Sequence, residues 1–445
     1  MEEQLSADVI VVGGGLAGLA AATYLARGGR AVTLIEQAAA VGGRARTQQN
    51  HEFQFNLGPH ALYEAGVGAE VYRELGIHYS GGKPGTESYL VRGDRLYLLP
   101  AGPLALLRTG LLSPRDKLAL VPAVVRIART DPAAVSHVPL RQWLREAVPE
   151  PRLRQVVELF LRVATYGNDP DRQSAGAALA QLRLALTGGV RYLDGGWQTL
   201  VDGLRRAAEA AGVSLINRAK VAAVLRDAAV RGVRLADGTT WAADAVVVAG
   251  SPAVASALVQ DGPPTVLRRW ADAAIPMWVA SLEVALRRLP NPRARVAFGV
   301  DAPLYLSTHS AWARLAPDGG AMIHVARYLG AEPAADPRAV ERELEHLLDL
   351  TQPGWRAALV ARRFLPHVLV SNALVTAAQG GTAGRPGPAV PDVPGLYVAG
   401  DWVGPEGMLA DASLASARRA ARLVLAARRQ PRAERAAPMP LALGA

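Results

Sequence analysis

The stretch ADVIVVGGGLAGLAAATYLARGGRAVTLIE, residues 7–36, decides the fold class of this chain. Within it, DVIVV at 8–12 is short, apolar and β-branched, which is typical of a buried parallel strand. LAGLAAATYLARGG at 16–29 is rich in Ala and Leu and ends in glycine, as helices commonly do. AVTLIE at 31–36 has the pattern of a second strand. The three segments together predict a βαβ unit.

Three glycines connect the first strand to the helix with the spacing Gly13-x-Gly15-x-x-Gly18. In a βαβ unit these glycines make a tight turn, let a pyrophosphate approach the backbone, and let helix and strand pack closely. The helix N-terminus offers free N–H groups and a partial positive charge to the phosphates. Glu36, at the end of the second strand, can accept hydrogen bonds from ribose hydroxyls. The pattern predicts that the chain binds a dinucleotide.

Composition restricts the other functions open to the chain. Its 445 residues suggest two or three domains, and 50% hydrophobic with 20% charged residues can build a large core. The absence of cysteine excludes disulfides, thiolate metal sites and cysteine nucleophiles, and we expect no metal site. The net charge is +10, but no dense basic run with interleaved aromatic residues occurs, so we expect no nucleic-acid partner.

Hydropathy predicts a cytoplasmic protein. No segment reaches the ~18 uninterrupted apolar residues of a membrane span, and the acidic start MEEQLSAD is unlike a signal peptide. The segment LALVPAVVRIAR at 118–129 has an apolar face with arginine at its edge. It fits either a helix that faces the core or an interfacial helix that contacts the inner face of a membrane.

The rest of the chain alternates between helical and extended patterns. Residues 100–185 carry apolar residues at three- and four-residue spacing, with proline at the breaks, which predicts a helical lobe. Segments between 277 and 329 predict an antiparallel sheet. GLYVAGDWVG at 395–404 predicts a strand, and a long helix follows over 408–429. We predict an α/β fold in which a Rossmann-like domain carries a discontinuous substrate domain, made of the antiparallel sheet and the helical lobe.

Two further motifs bear on whether the dinucleotide is NAD or FAD. Gly42-Gly43-Arg44 is a second glycine turn bearing arginine, and it offers a second place to hold pyrophosphate or flavin. Asp401 lies at a strand end, where an acid can accept hydrogen bonds from ribityl hydroxyls. The helix that begins near Met408 can stabilise negative charge on a reduced flavin ring.

Four motifs resemble the FAD-dependent oxidoreductases that include phytoene desaturases, protoporphyrinogen oxidases and flavin monoamine oxidases. They are residues 11–36, VGGRART at 41–47, the block from GGWQTLVDGL to RAKVAAV at 195–224, and GLYVAGDWVGPEGMLADASLASARRAA at 395–421. The stretch at 93–120 also resembles the helical lobe of protoporphyrinogen oxidase-like members.

The resemblance implies one FAD bound lengthwise between motifs from both ends of the chain. Glu36 would contact the adenosine ribose, and Val221 the adenine through its backbone. The segment from Gly58 to His60 would lie beside the isoalloxazine, and Asp401 with the 408–410 turn would close over the ribityl chain and the flavin C2 carbonyl. The full set of implied cofactor contacts is Gly13, Gly15, Leu16, Ala17, Gly18, Glu36, Gln37, Gly43, Arg44, Gly58, Pro59, His60, Val221, Gly400, Asp401, Met408, Leu409 and Ala410.

The resemblance also implies a division of the chain into domains. The expected parts are an FAD-binding domain at 1–78, 191–252 and 376–430, a helical lobe at 79–190, substrate-domain sheet and helices at 253–375, and a tail at 431–445.

The implied activity is that of a desaturase- or dehydrogenase-type oxidoreductase, which oxidises a hydrophobic small molecule by hydride transfer to flavin N5. No second GxGxxG motif occurs, so we expect electrons to leave to oxygen, a quinone or another soluble carrier. His60 is the candidate acceptor of the substrate proton, because it is the only titratable residue inside a flavin-side motif, with Tyr63 nearby. The alternative is that His60 only hydrogen-bonds the backbone or the flavin. The other candidates for the substrate pocket are His309, His324, Arg162, Arg327, Trp197, Trp278 and Trp312.

Two other functions stay open. Flavin amine oxidases commonly carry a lysine in the substrate-domain sheet, bridged by water to flavin N5, but no lysine of this chain lies beyond Lys220. Trp402 and Phe364 are the candidates for the aromatic cage of such an enzyme. Rab GDP-dissociation inhibitors are similar in fold and bind a partner protein and its lipid without redox chemistry. The intact glycine, Glu36, Arg44 and Asp401 motifs argue against that reading.

Overall fold

The structure is a computed structural model that describes residues 5–85, 88–100, 102–259, 265–331 and 336–427. The tail expected at 431–445 lies outside the described residues. The strands are β1 (Val9–Val12), β2 (Val32–Ile35), β3 (Thr47–Asn50), β4 (Phe53–Asn56), β5 (Leu62–Tyr63), β6 (Gly81–Gly82), β7 (Tyr89–Arg92), β8 (Arg95–Leu98), β9 (Val190–Leu193), β10 (Ser214–Ile216), β11 (Val221–Arg226), β12 (Val230–Leu235), β13 (Thr240–Ala242), β14 (Ala245–Val248), β15 (Met277–Leu286), β16 (Val296–Gly299), β17 (Leu304–Ser307), β18 (Ala321–Tyr328), β19 (Leu359–Ser371) and β20 (Leu396–Val398).

The α-helices are α1 (Leu16–Arg27), α2 (Val67–Glu74), α3 (Pro103–Arg108), α4 (Pro114–Arg129), α5 (Leu140–Ala147), α6 (Pro151–Thr165), α7 (Ala175–Gly188), α8 (Gln198–Ala210), α9 (Pro252–Ala257), α10 (Val266–Ala273), α11 (Pro337–Thr351) and α12 (Leu409–Ala426).

The predicted βαβ unit forms the centre of a parallel sheet. Strands β1 and β2 pair in parallel with Val9 opposite Val32, and the sheet has the order β10-β2-β1-β14-β20. Its central strands are almost completely apolar, because both faces are covered. Helices α1, α8 and α12 pack on one face, and the three-stranded meander β11-β12-β13 packs on the other. The predicted α/β fold class is confirmed.

A second sheet of seven strands has the order β19-β15-β18-β17-β16-β7-β8. Its pairs are antiparallel except for β16 and β7, which run parallel. Helix α11 covers one face of this sheet with an apolar core. The other face is turned toward residues that include Gly58 and Tyr192. This sheet is the antiparallel unit predicted between 277 and 329, extended by β19, which the sequence reading did not identify.

The expected helical lobe needs one correction at its start. Strands β7 and β8, inside the 79–190 segment, form the edge of the seven-stranded sheet. The physical reason is a distant pairing, because the hairpin of Tyr89–Arg92 and Arg95–Leu98, which turns at Gly93, adds to the sheet through the parallel pairing of β7 with β16. Within the 79–190 segment, the first helix is α3. The rest of the domain division stays our proposal.

Helices α4 to α7 share an apolar core of their own. Helix α4 starts at a capping box, in which Ser113 and Asp116 exchange side-chain to backbone hydrogen bonds. Of its side chains only Asp116 and Ala123 are buried. Among the residues that the structure describes, no helix is long and apolar enough to cross a membrane.

Candidate functional site

The glycine turn between β1 and α1 has the geometry that the spacing predicts. Gly13 has a φ of +102°, and a Cβ atom on it would lie 2.8 Å from the carbonyl oxygen of Ala249. A Cβ on Gly18 would lie 1.8 Å from the carbonyl oxygen of Gly13, so only glycine permits this contact. By contrast, no atom lies within 4 Å of a Cβ placed on Gly15. The turn therefore leaves open space at the N-terminus of α1, where no side chain caps the free N–H groups.

Glu36 lies where the adenosine end of the site is expected, and its side chain is fixed by hydrogen bonds. Its carboxylate accepts hydrogen bonds from the N–H groups of Gly14, at 2.6 Å, and Ala38, at 2.8 Å. The backbone N–H of Ala219 donates to the carbonyl oxygen of Glu36 at 3.0 Å, which brings the segment before Val221 alongside it. Gln37 is exposed. Glu36 and Val221 thus lie on one side of the glycine turn, as a site for the adenosine half requires.

The second glycine turn joins the two ends of the chain. A Cβ on Gly43 would lie 3.5 Å from the Cα of Gly15, so the two turns abut. Arg44 donates to the carboxylate of Asp401 at 2.8 Å and to the carbonyl oxygen of Val370 at 2.7 Å. The Asp401 carboxylate is buried and accepts two further hydrogen bonds from Asn372. Motifs 357 residues apart therefore meet at one point.

The turn before α12 is fixed by a buried cation that the sequence reading missed. Arg385 donates to the carbonyl oxygens of Asp401, Glu406 and Gly407. Burial lowers the pKa of its guanidinium to about 10, so it remains charged at neutral pH. Leu409 has a φ of +56° although it is not glycine. The 408–410 turn thus has a constrained backbone at the uncapped N-terminus of α12.

Gly58, Pro59 and His60 lie between the two sheets. Gly58 has a φ of +88°, and its N–H donates to Glu283 of β15 at 3.3 Å. The Nδ1 of His60 lies 2.9 Å from the carbonyl oxygen of Gly58, and its ring contacts Trp197 at 4.9 Å between centroids. Burial lowers the pKa of His60, so its imidazole is neutral at neutral pH. Since a carbonyl only accepts, the proton is on Nδ1, and Nε2 carries the lone pair.

Several other predicted candidates have structural partners. Tyr63 donates to the carbonyl oxygen of Ala164. Arg162 pairs with Glu158, and Arg327 pairs with Glu343. These contacts leave neither arginine available as an unpaired cation for a substrate carboxylate.

The remaining aromatic and histidine candidates are distributed over different clusters. His309 and His324 are buried and tilted against each other at 4.3 Å. Trp402 packs on Trp270 and donates to the carbonyl oxygen of Gly250. Phe364 packs on the α11 side of the second sheet. The proposed aromatic cage of Trp402 and Phe364 is therefore not formed.

An apolar, aromatic cluster adjoins the Gly58–His60 segment. Tyr166 donates to the carbonyl oxygen of Pro59 at 3.0 Å, and its ring packs edge-on against Tyr328. Phe298 packs edge-on against Phe160 at 5.7 Å and is tilted against Tyr305 at 5.8 Å. These rings belong to one cluster of strands, helix α6 and the 111–112 segment. We call this cluster the aromatic wall.

Sequence reasoning missed the buried polar residues Glu283, Arg385 and Asp411, and the half-buried Arg363. For Glu283 the sequence does carry a signal, because this residue is a lone acid in the apolar run MWVASLEVAL. A charged residue inside a buried strand is costly unless it is paired, so such a residue merits attention before the fold is known.

The residues present fit FAD. The open space at Gly15, the uncapped N-termini of α1 and α12, and the fixed acids Glu36 and Asp401 are what a dinucleotide with a flavin needs. Within the described ranges, no group of three or more His, Asp or Glu side chains could hold a metal ion.

Comparison with known proteins agrees with this geometry. A model of the family described as flavin containing amine oxidoreductase matches residues 16–425. The chain is 33% identical over 299 residues to hydroxyneurosporene desaturase of Cereibacter sphaeroides, a match that covers 58% of this chain and 59% of that protein. The chain thus spans less than two thirds of this relative.

Two solved structures share the fold. An oxidoreductase from Methanosarcina mazei superimposes with a TM-score of 0.74 at 18% identity, over 92% of this chain and 98% of that one. Putrescine oxidase bound to putrescine gives a TM-score of 0.72 at 18% identity, over 96% of this chain and 100% of that one.

Proposed function

The chain belongs to the family of flavin containing amine oxidoreductases and is an FAD-dependent oxidoreductase, and from this premise we propose that it oxidises a hydrophobic small molecule in the manner of a desaturase or dehydrogenase. The family and the cofactor expected from the sequence are confirmed. The substrate class, the residue roles and the electron acceptor are our proposal.

The aromatic wall is the observation that carries this proposal. Tyr166 bonds the carbonyl oxygen of Pro59 and belongs to the same apolar cluster as Tyr328 and Phe298, so apolar and aromatic side chains adjoin the Gly58–His60 segment. Apolar and aromatic linings with few polar groups are typical of sites for hydrophobic ligands. The similarity to hydroxyneurosporene desaturase supports the proposed desaturase-type reaction.

When bound in the proposed site, FAD would supply the acceptor of a hydride. The glycine turn and the α1 N-terminus would hold the pyrophosphate, and Glu36 the adenosine ribose. Arg44 and Asp401 would hold the ribityl side.

His60 would then take the proton. When hydride and proton leave adjacent carbons, a C=C bond forms, and the Nε2 lone pair of neutral His60 accepts the proton. The hydrogen bond from Nδ1 to Gly58 holds the imidazole in the tautomer that this step requires. The electrons would then pass to oxygen, a quinone or a soluble carrier.

Amine oxidation is the alternative that the fold of putrescine oxidase favours. Against it, none of Lys83, Lys117 and Lys220 lies on a strand of the seven-stranded sheet. A third possibility, a binding protein without redox chemistry, conflicts with the complete set of glycine, Glu36, Arg44 and Asp401 contacts described above.

Product analysis tests the proposal. The purified holoenzyme is incubated with a micelle-solubilised polyene that carries a saturated bond next to its conjugated system, with a quinone as acceptor. We expect a product lighter by two hydrogens, and no peroxide from a panel of primary amines. Peroxide formation from an amine, without desaturation of any polyene, would establish the alternative.

We also propose that helix α4 contacts an anionic bilayer at its surface. Leu118, Val121 and Val124 are 80%, 65% and 53% exposed, and Leu107 of α3 is 71% exposed. Exposed basic residues surround these side chains, namely Arg108, Arg115, Arg126 and Arg129. In the sequence, this exposed helix follows directly on Leu111 and Leu112, which are buried in the aromatic wall. A bilayer contact at α4 would therefore bring a lipophilic substrate close to the proposed site.

Vesicle co-sedimentation tests this contact. We expect the holoenzyme to bind vesicles that contain phosphatidylglycerol better than vesicles of phosphatidylcholine alone. Changing both Leu118 and Val121 to serine should weaken binding at least about tenfold, because each buried aliphatic side chain contributes roughly 1.5–3 kcal/mol. Val254→Ser, which changes an exposed valine of α9, is the matched control and should bind as wild type does. Equal binding by the double variant would refute the contact.

A further inference from the structure

One row of polar side chains crosses the face of the seven-stranded sheet that is opposite to helix α11. Arg363, Glu283, His324 and Ser307 lie opposite one another on the neighbouring strands β19, β15, β18 and β17. Their registers place all four on the same face. The next row along the same face pairs Ala285 with Met322. We call the four residues the polar row.

Glu283 is the centre of the polar row and is completely buried. Its Oε2 accepts from the Nε of Arg363 at 2.7 Å. Its Oε1 accepts from the N–H of Gly58 at 3.3 Å and lies 3.3 Å from the Nδ1 of His324. A buried ion pair gives little net stability compared with apolar residues of the same size. Fold stability alone therefore does not account for this arrangement.

Arg363 connects the polar row to the hairpin formed by β3 and β4. It donates to the side chain of Gln48 at 2.7 Å and to the carbonyl oxygen of Asn56, and its guanidinium lies over the ring of Phe55. Arg363 and Glu283 therefore bind the backbone on both sides of Leu57, at Asn56 and at Gly58. The segment that ends at His60 is therefore held from the second sheet as well as by its own hairpin, in which Asn56 pairs with Thr47.

We propose that Glu283 is a positioning residue, which with Arg363 holds the segment from Asn56 to His60 against the isoalloxazine half of FAD. The inference rests on the proposed contact between this segment and the flavin. It concerns one half of the cofactor only, because Glu36 and the glycine turn, which would bind the other half, have no contact with the polar row among the hydrogen bonds that the structure describes.

Two ligands separate positioning from general stabilisation. FAD requires both halves of the site, whereas ADP requires only the adenosine and pyrophosphate half. We compare the affinities of full-length apoprotein for FAD, by quenching of flavin fluorescence, and for ADP, by calorimetry. The variant is Glu283→Gln, which keeps the side-chain volume and removes the charge.

We expect Glu283→Gln to weaken FAD binding about tenfold or more, because hydrogen bonds to charged groups contribute roughly 1.5–3 kcal/mol. ADP affinity should stay within about twofold of wild type. Ser281→Ala is the matched control, since Ser281 is buried on the same face of β15 and bonds only Val325; both affinities should stay unchanged. Equal weakening of FAD and ADP, or unchanged FAD affinity, would overturn the proposal.

A second variant covers the case in which Glu283→Gln does not fold. Arg363→Lys keeps a cation beside the buried Glu283 carboxylate but removes the guanidinium N–H groups that reach Gln48 and Asn56, and it should show the same selective loss of FAD affinity. An Arg363→Lys protein with wild-type FAD affinity would also refute the positioning role. Wild-type protein that binds FAD but oxidises no apolar substrate would instead refute the proposed function, and it would leave this inference intact.

Discussion

Asp411, in the first turn of α12, predicts an unusual response of stability to pH. The side chain is 3% exposed, and only one of its oxygens has a partner, the N–H of Gly68 at 3.0 Å. Gly66 and Gly68 make room for it, since a Cβ on either would lie 2.1–2.5 Å from its carboxylate. Burial raises the pKa of Asp411 from 3.8 to about 7, and nearby Glu70 acts in the same direction.

The direction in which stability changes with pH follows from proton linkage. Between pH 3.8 and about 7 the folded protein holds a proton on Asp411 that the unfolded chain has lost. The free energy of unfolding therefore falls by about 1.4 kcal/mol per pH unit over this window. The stabilisation is complete below the unfolded pKa and is lost as pH rises through the folded pKa, in total about 4 kcal/mol. Asp411→Asn cannot titrate, so it should avoid this loss.

Thermal unfolding of wild type and Asp411→Asn at pH 5 and pH 8 checks this prediction. Between these values the wild type should lose roughly 2–3 kcal/mol relative to the variant. With roughly 2.1 cal/mol/K of unfolding entropy per residue, the difference in Tm should grow by about 3 °C in favour of the variant. The pH 5 comparison is the internal control, because it includes any change in the hydrogen bond to Gly68. A Tm difference that is constant with pH, or that favours wild type at pH 8, would refute the reasoning.

Three further predictions concern the cofactor site. Gly15→Ala should leave the Tm of the apoprotein unchanged, because its Cβ meets no protein atom, but it should bind FAD at least about tenfold more weakly, because that Cβ occupies the open space. Gly18→Ala should instead lower the Tm, because its Cβ would overlap Gly13. Calorimetry and fluorescence titration separate the two, and equal effects would contradict the geometry. Arg44→Gln should weaken FAD binding about tenfold in the same titration; unchanged affinity would exclude Arg44 from the site. His60→Gln, saturated with FAD, should reduce its flavin about a hundredfold more slowly than wild type in anaerobic stopped flow; a rate within threefold of wild type would remove His60 as the base.

The βαβ unit and its glycine turn could be predicted from the sequence because their determinants are local. The three glycines, the strand patterns and Glu36 all lie within about thirty residues, and each is dictated by backbone geometry. The meeting of Arg44 with Asp401 followed only from the family resemblance, since nothing local connects them.

The polar row and Asp411 could not be predicted, because they depend on which side chains lie opposite each other after folding. Glu283 and Gly58 are 225 residues apart, and Asp411 and Gly68 are 343 apart. The same limit applies to helix α4. Its apolar pattern favours a helix that faces the core over an interfacial one, and only the packing of its neighbours shows that Leu118 and Val121 are exposed. The edge strands β7 and β8 depend on a partner, β16, that lies two hundred residues further on.

Anaerobic reduction of the bound flavin tests the central claim most directly, since it reports electron transfer from substrate without depending on the acceptor. Purified holoenzyme is mixed, without oxygen, with a partly saturated polyene or with a primary amine, and the visible flavin absorption is followed. We expect loss of that absorption with the polyene and none with the amine. Bleaching by the amine alone, or a protein that binds no FAD, would contradict the proposed function.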